Sequence, residues 1–158
     1  MKSISFVIEG EPMAKQRPRL STFNGFARAY TPKDTERYEN KVLMCYKNTL
    51  NNQIDEVMFP QGTYVKLSLE AYFGLTKGDY GKKGLNKSGK NKINGVYCDK
   101  HKDLDNIIKI IMDALNGICF NDDKQIVCIE AYKLYTQDLP RVEVSFEQIG
   151  VYDNQEIG

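Results

Sequence analysis

Six apolar residues, Leu104, Ile107, Ile108, Ile111, Met112 and Leu115, recur at intervals of three and four and share one face of a helix. Asn116-Gly117 supplies its C-terminal stop. Strand patterns flank this helix. Upstream, Val65, Leu67, Leu69, Ala71 and Phe73 alternate with Lys66, Ser68, Glu70 and Tyr72; downstream, Ile126 to Leu134 reads as a further strand. A helix with one apolar stripe between two strands buries that stripe against the sheet the strands build.

The remaining elements fit the same frame. Ile4, Phe6 and Ile8 mark a first strand, and Gly10 to Arg28 reads as a loop. Thr31-Pro32-x-Asp34 opens a helix, with Thr31 expected as its cap. Tyr38, Val42, Cys45 and Thr49 form its stripe, widened by Leu43, Tyr46 and Leu50, and Asn51-Asn52 ends it. Val142, Val144 and Phe146 mark a last strand, expected to form a hairpin with the strand before it across Gln137–Pro140. Gly74 to about Cys98 is a polar run without core-building residues. The expectation there is a mobile basic loop, about 74–102, whose length hints at function. The order β-α-β-α-β-β predicts an α+β (α/β-like) fold: one domain over 1–158, a mixed sheet with two main helices, and a short C-terminal tail from about 149 to 158.

Several function classes fall away. No apolar run approaches the roughly 20 residues needed to cross a membrane. The alternating N-terminus reads as a strand rather than an export leader, so a cytoplasmic protein with no membrane partner is expected. Cys45, Cys98, Cys119 and Cys128 lack the spacing of a disulfide framework. Cys98-x-x-His101 is half of a zinc pattern with no second half. The single histidine leaves no triad, and without a glycine-rich phosphate loop no nucleotide cofactor is expected.

Lysine plus arginine number 22 and aspartate plus glutamate 21, so bulk charge does not announce a polyanion partner. Distribution says more. Lys15, Arg17, Arg19 and Arg28 form one basic stretch; Lys77, Lys82, Lys83, Lys87, Lys90, Lys92, Lys100 and Lys102 form another. Acids gather between Asp103 and Asp123. Basic surface beside an acidic cluster suits a protein that holds phosphates and a cation together; two solvated lysine-rich loops are the plain alternative.

The densest chemistry is Asp103-Leu104-Asp105-Asn106-x-x-Lys109, followed by Asn121-Asp122-Asp123. With Leu104 buried and the chain extended at the helix start, Asp103 and Asp105 point the same way. Lys109 lies one turn further along that side. Asp122 and Asp123 follow the same helix, and an adjacent strand could carry one of them back to the first pair. Converging carboxylates repel unless a cation neutralises them, and a hard divalent ion suits oxygen ligands. Such an ion would activate water for phosphodiester hydrolysis, with Lys109 stabilising developing charge. The same residues also read as a helix cap, an Asp105–Lys109–Asp113 ion ladder and a turn.

These segments, together with Asp113-Ala114-Leu115-Asn116 and Asn121-Asp122-Asp123-Lys124-Gln125-Ile126, resemble the RusA family of Holliday junction resolvases, bacterial and phage endonucleases. Gly10-Glu11-Pro12, Lys15-Gln16-Arg17-Pro18-Arg19 and Tyr30-Thr31-Pro32 resemble the opening of members from Gram-positive bacteria and their phages. The resemblance implies Mg²⁺, with Mn²⁺ as a substitute, held by Asp103, Asp105 and Asp123. It implies Lys109 as a residue needed for the cut and Asn106 and Asp122 as neighbours of the site. It further implies a homodimer making paired nicks in a four-way DNA junction during recombination and repair, in a bacterial or phage-infected cell. Lys15, Arg17, Arg19, Lys82 and Lys83 are the expected phosphate contacts. Competing readings are a nuclease of the same fold acting on forks, flaps or D-loops, a non-catalytic binder of DNA structures, and a small metal-binding scaffold.

Overall fold

The computed structural model describes residues 1–53 and 56–152. Four strands form the main sheet: β1 (Ser3–Glu9), β4 (Tyr64–Gly74), β7 (Ile126–Thr136) and β8 (Arg141–Ile149), in the order β1-β8-β4-β7. β4 runs parallel to β7 and antiparallel to β8, and β8 is antiparallel to β1. The sheet is therefore mixed, and with α1 (Lys33–Thr49) and α3 (Leu104–Leu115) on it the fold is α+β, as the element order predicts. The end of the C-terminal tail, residues 153–158, lies outside the described residues.

Period-two patterning decides which face is covered. Ile4, Phe6 and Ile8, then Val65, Leu67, Leu69, Ala71 and Phe73, then Val142, Val144 and Phe146 are all buried under the helices. The opposite face carries Ser5, Ser68, Glu70, Glu143 and Ser145 in a shallow open groove. From α1, Thr35, Tyr38, Val42 and Tyr46 face inward at intervals of three and four; from α3, Ile107, Ile110, Ile111, Ala114 and Leu115 do the same.

Four expectations need correction. Thr31 does not cap α1: Pro32 takes that position, with its carbonyl accepting from Glu36 N at 3.1 Å and no side-chain cap. A proline needs no N–H there, so nothing is lost. The helix ends at Thr49 with Leu50 as its C-cap, and Asn51 and Asn52 turn the chain away at φ angles of 53° and 60°, which asparagine tolerates. The second correction falls on the segment read as a loop, which contains a hairpin, β2 (Arg19–Phe23) with β3 (Phe26–Tyr30). Asn24 and Gly25, at φ 52° and 79°, close it with the left-handed pair a tight two-residue turn requires.

The third concerns β7 and β8, which do not pair with each other: β4 lies between them. The 137–140 connection steps over the end of β4 at Gly74. A Cβ there would sit 3.1 Å from Pro140 Cγ and 3.0 Å from Glu11 Oε1, so glycine clears the crossing. Gly10 N also donates to Pro140 O at 2.9 Å, fastening the end of β1 to the crossing loop.

The fourth is the polar segment after β4, which folds around a charge instead of an apolar core. Asp79, 1% exposed, accepts from Thr76 N (2.9 Å), Thr76 Oγ1 (3.1 Å), Ser88 Oγ (2.7 Å) and Lys92 Nζ (3.0 Å). The Ser88 hydroxyl, then the Thr76 amide and Lys92, hold its carboxyl far below the usual carboxylate range. Around it sit a two-residue ladder, β5 (Tyr80–Gly81) with β6 (Gly84–Leu85), and the single turn α2 (Lys87–Lys90). Gly89 is required: a Cβ would fall 2.3 Å from Asp79 O. The chain then returns along the outer edge of β7, with Cys98 N donating to Lys133 O (2.9 Å) and Tyr135 N to Val96 O (3.1 Å).

Gly74→Ala should destabilise the protein by about 1–3 kcal/mol, because the rigid Pro140 ring must move. Urea unfolding checks this: a lowered midpoint with unchanged slope is expected, and an unchanged midpoint would show that the crossing tolerates a side chain.

Candidate active site

The start of α3 is built as the sequence implies. Asp103 occupies the cap position in extended conformation without a side-chain capping bond, and Ile107 N donates to its carbonyl at 3.1 Å. Leu104 packs against the core, while Asp103 and Asp105 are exposed. Asp105 Oδ1 accepts from Asn106 N at 2.9 Å. Lys109, one turn on and 59% exposed, reaches Asp113 Oδ2 at 3.7 Å. Two exposed carboxylates and an exposed ammonium thus sit in the cap and first two turns of a helix N-terminus, where negative charge is favoured.

Asp113 is shared. Its Oδ2 also lies 3.3 Å from Lys15 Nζ, and Lys15 bonds Glu39 of α1 as well. Lys15 N donates to Asn106 O at 2.8 Å. This lysine is therefore a tie between the N-terminal arm, α1 and α3, and its side chain is only 18% exposed. Burial lowers its pKa, but Glu39 and Asp113 outweigh that and leave it above the ordinary lysine value. Lys15 is accordingly corrected from a phosphate contact to a structural residue.

Arg17 and Arg19, by contrast, are exposed where the arm leaves α3 for the hairpin. Pairing Arg19 with Tyr30 and Ser21 with Arg28 puts Arg19, Arg28, Tyr30 and Phe26 on one face, all exposed. That basic and aromatic face suits phosphates and bases. The sequence reading singled out its arginines and missed Phe26 and Tyr30, although their period-two spacing with Arg28 was available. Lys82 and Lys83 are exposed at the turn joining β5 and β6.

Asp122 and Asp123 open a short turn ahead of β7. Asp122 Oδ1 accepts from Lys124 N (2.9 Å), and Gln125 Oε1 accepts from Asp122 N (3.0 Å). The Lys124 amide, first of all, draws the Asp122 carboxyl below its ordinary pKa. Gln125 Nε2 donates to Pro60 O at 2.8 Å, so the turn is anchored beside the start of β4.

That anchoring separates Asp123 from Asp103 and Asp105. His101 stacks on Phe73 near the end of β4, ring centroids 5.3 Å apart, and Tyr97 bridges Leu134 near the end of β7. Asp123 precedes Ile126, which pairs with Val65 at the beginning of β4. The eight residue steps from Ile126 to Leu134 span about 26 Å, and the 12-residue helix about 18 Å. Among the described residues no three His, Cys, Asp or Glu side chains are placed to hold one ion. The three-carboxylate centre expected for Mg²⁺ is thus not assembled by a single chain.

Fold and site together define a one-domain α+β protein with an acidic helix start beside a basic hairpin. The family model for the endodeoxyribonuclease RusA matches residues 9–147, and the chain belongs to that family of DNA-cutting enzymes. It is also 29% identical over 150 residues to an uncharacterized Bacillus subtilis protein, YqaN, covering 94% of this chain and 99% of that one. No described helix is long and apolar enough to cross a membrane.

Lys15→Ala should lower stability by about 1–3 kcal/mol, since Glu39 and Asp113 lose a charged hydrogen-bond donor, and should change DNA affinity little. Arg19→Ala should do the reverse. Paired denaturation and DNA-binding titrations decide it; equal loss of DNA binding in both variants would return Lys15 to the phosphate-contacting set. The Lys15 contribution should be fully present below the ordinary lysine pKa and disappear as pH rises through the raised folded value.

Proposed function

We propose that this chain is a metal-dependent endonuclease that nicks branched DNA, with the four-way junction as substrate and Mg²⁺ as the ion. The carrying observation is the hydrogen bond from Lys15 N to Asn106 O. It attaches the arm bearing Arg17, Arg19 and the basic, aromatic hairpin directly to the helix turn bearing Asp105 and Lys109. DNA held by the hairpin is thereby delivered to the acidic helix start.

The roles divide by exposure. Asp103 and Asp105 supply negative oxygens at the end of α3. Lys109, held only loosely by Asp113, is free to turn its ammonium toward charge building on a phosphate. Arg17, Arg19, Arg28, Lys82 and Lys83 hold the backbone through charge, so affinity falls as salt rises. The family match supports endonuclease action on DNA; the preference for a four-way junction and the requirement for Mg²⁺ are parts of this proposal.

A gel assay comparing a synthetic four-way junction, a three-way junction and linear duplex, each with Mg²⁺ or with EDTA, tests it. Mg²⁺-dependent nicking of the four-way junction is expected, with little cutting of the duplex. Asp103→Asn should bind the junction without cutting it, and Lys109→Ala should slow nicking roughly 10²–10³-fold. Cutting that survives EDTA, or substantial cleavage by Asp103→Asn, would overturn the assignment.

A further inference from the structure

From Arg17 to Thr31 every described side chain is exposed, Phe26 at 73% and Leu20 at 75%. The β2–β3 ribbon is fixed at its root, where Lys15 ties one end to α1 and α3 and the buried Pro32 starts α1 at the other. An apolar side chain stabilises a fold by leaving water, and these two do not leave it. Strand register separates them. Leu20 stands on the ribbon face of Thr22, Ala27 and Ala29, whereas Phe26 shares a face with Arg19, Arg28 and Tyr30.

Two features aim Phe26 outward. Asn24 and Gly25 close the ribbon in two residues, so Phe26 is the first residue beyond the turn. Four residue steps separate it from Tyr30 at the root, about 14 Å of extended chain. The root itself is bonded from Lys15 N to Asn106 O, beside Asp105. Charge then selects the partner. No acidic residue lies between Glu11 and Asp34, and Arg17, Arg19 and Arg28 are exposed within that stretch. A phenylalanine at the end of a row of arginines suits a polyanion with an apolar interior, which is a base stack between phosphate strands.

We propose that Phe26 is a wedge that enters the base stack where a DNA branch has already opened it, and that this contact separates branched DNA from intact duplex. This rests on the nuclease reading above and supplies its substrate preference. To enter an intact duplex the ring must first break a stacked step; at a branch point that step is already broken. The same ring contact therefore adds affinity for branched DNA and none for duplex. Arg17, Arg19 and Arg28 meet phosphates in either substrate, so they hold DNA without that discrimination. Because the root of the hairpin is bonded to the first turn of α3, a ring seated in the branch also fixes how far from the branch the acidic helix start stands.

A four-way junction with 2-aminopurine beside the branch point, and a duplex with 2-aminopurine in the same sequence, test this with the full chain in EDTA, which withholds the ion. Fluorescence should rise on the junction, as the base loses its stacked neighbour, and stay level on the duplex. Phe26→Ala should abolish the rise and weaken junction affinity roughly 10–100-fold with duplex affinity unchanged. Phe26→Trp, which keeps a ring able to stack, should restore both. Leu20→Ala, on the other ribbon face, should behave as the unaltered chain. A Phe26→Ala variant that keeps the fluorescence rise, or that loses junction and duplex affinity alike, would overturn the wedge. Equal loss in Leu20→Ala would overturn its assignment to Phe26. Failure of the nuclease reading has a different signature. An unaltered chain that opens the branch but never nicks it with Mg²⁺ leaves the wedge standing; one that nicks it without any fluorescence rise removes the wedge alone.

Discussion

A strand that passes through a helix into a parallel neighbour sends the helix back along the sheet, so the two ends of that helix lie at opposite ends of the strands. β4, α3 and β7 make this crossover. Every placement in the candidate site follows from it. Asp103 caps α3 and Asp105 stands in its first turn, where β4 and β7 end; Asp123 follows α3 and lies where they begin. Eighteen to twenty residues of sequence separate Asp123 from Asp105 and Asp103, but it is the crossover, not sequence distance, that keeps them apart. The same crossover makes β7 the outermost strand of the sheet, and among the described residues no strand pairs with its outer edge from Ile126 to Tyr132.

Within the chain, cations divide into those spent on structure and those available to a polyanion. Lys15 and Lys92 are held against acids, and their side chains are 18% and 24% exposed. Lys15 ties the arm to α3 and α1; Lys92 closes the cage around Asp79. Arg17, Arg19, Arg28, Lys82 and Lys83 carry their charge at the surface. Near-zero net charge therefore understates the basic surface offered to DNA, because part of the acid content is consumed by buried or shared pairs. Asp113 shows the balance most directly. Lys15 takes the shorter contact at 3.3 Å, which leaves Lys109 at 3.7 Å weakly restrained and free to act elsewhere.

Strands buried on one face were readable because burial writes an alternation into the sequence, as at Ile4–Phe6–Ile8, Val65–Phe73 and Val142–Phe146. The stripe of α3 was readable for the same reason at helical period. The β2–β3 hairpin has no buried face, so periodicity was silent, and only Asn24-Gly25 announced it. The loop after β4 was misread because its organising centre is a carboxylate, and an apolar count cannot register Asp79 with its Thr76, Ser88 and Lys92 partners. The wrong hairpin between β7 and β8 had a different cause. A short turn at Gln137–Pro140 serves a hairpin and a step over one strand equally well, and only Gly74 beneath Pro140 distinguishes them. The types and local phase of Asp103, Asp105 and Lys109 were legible; whether Asp123 joins them depends on strand order, which no local pattern encodes.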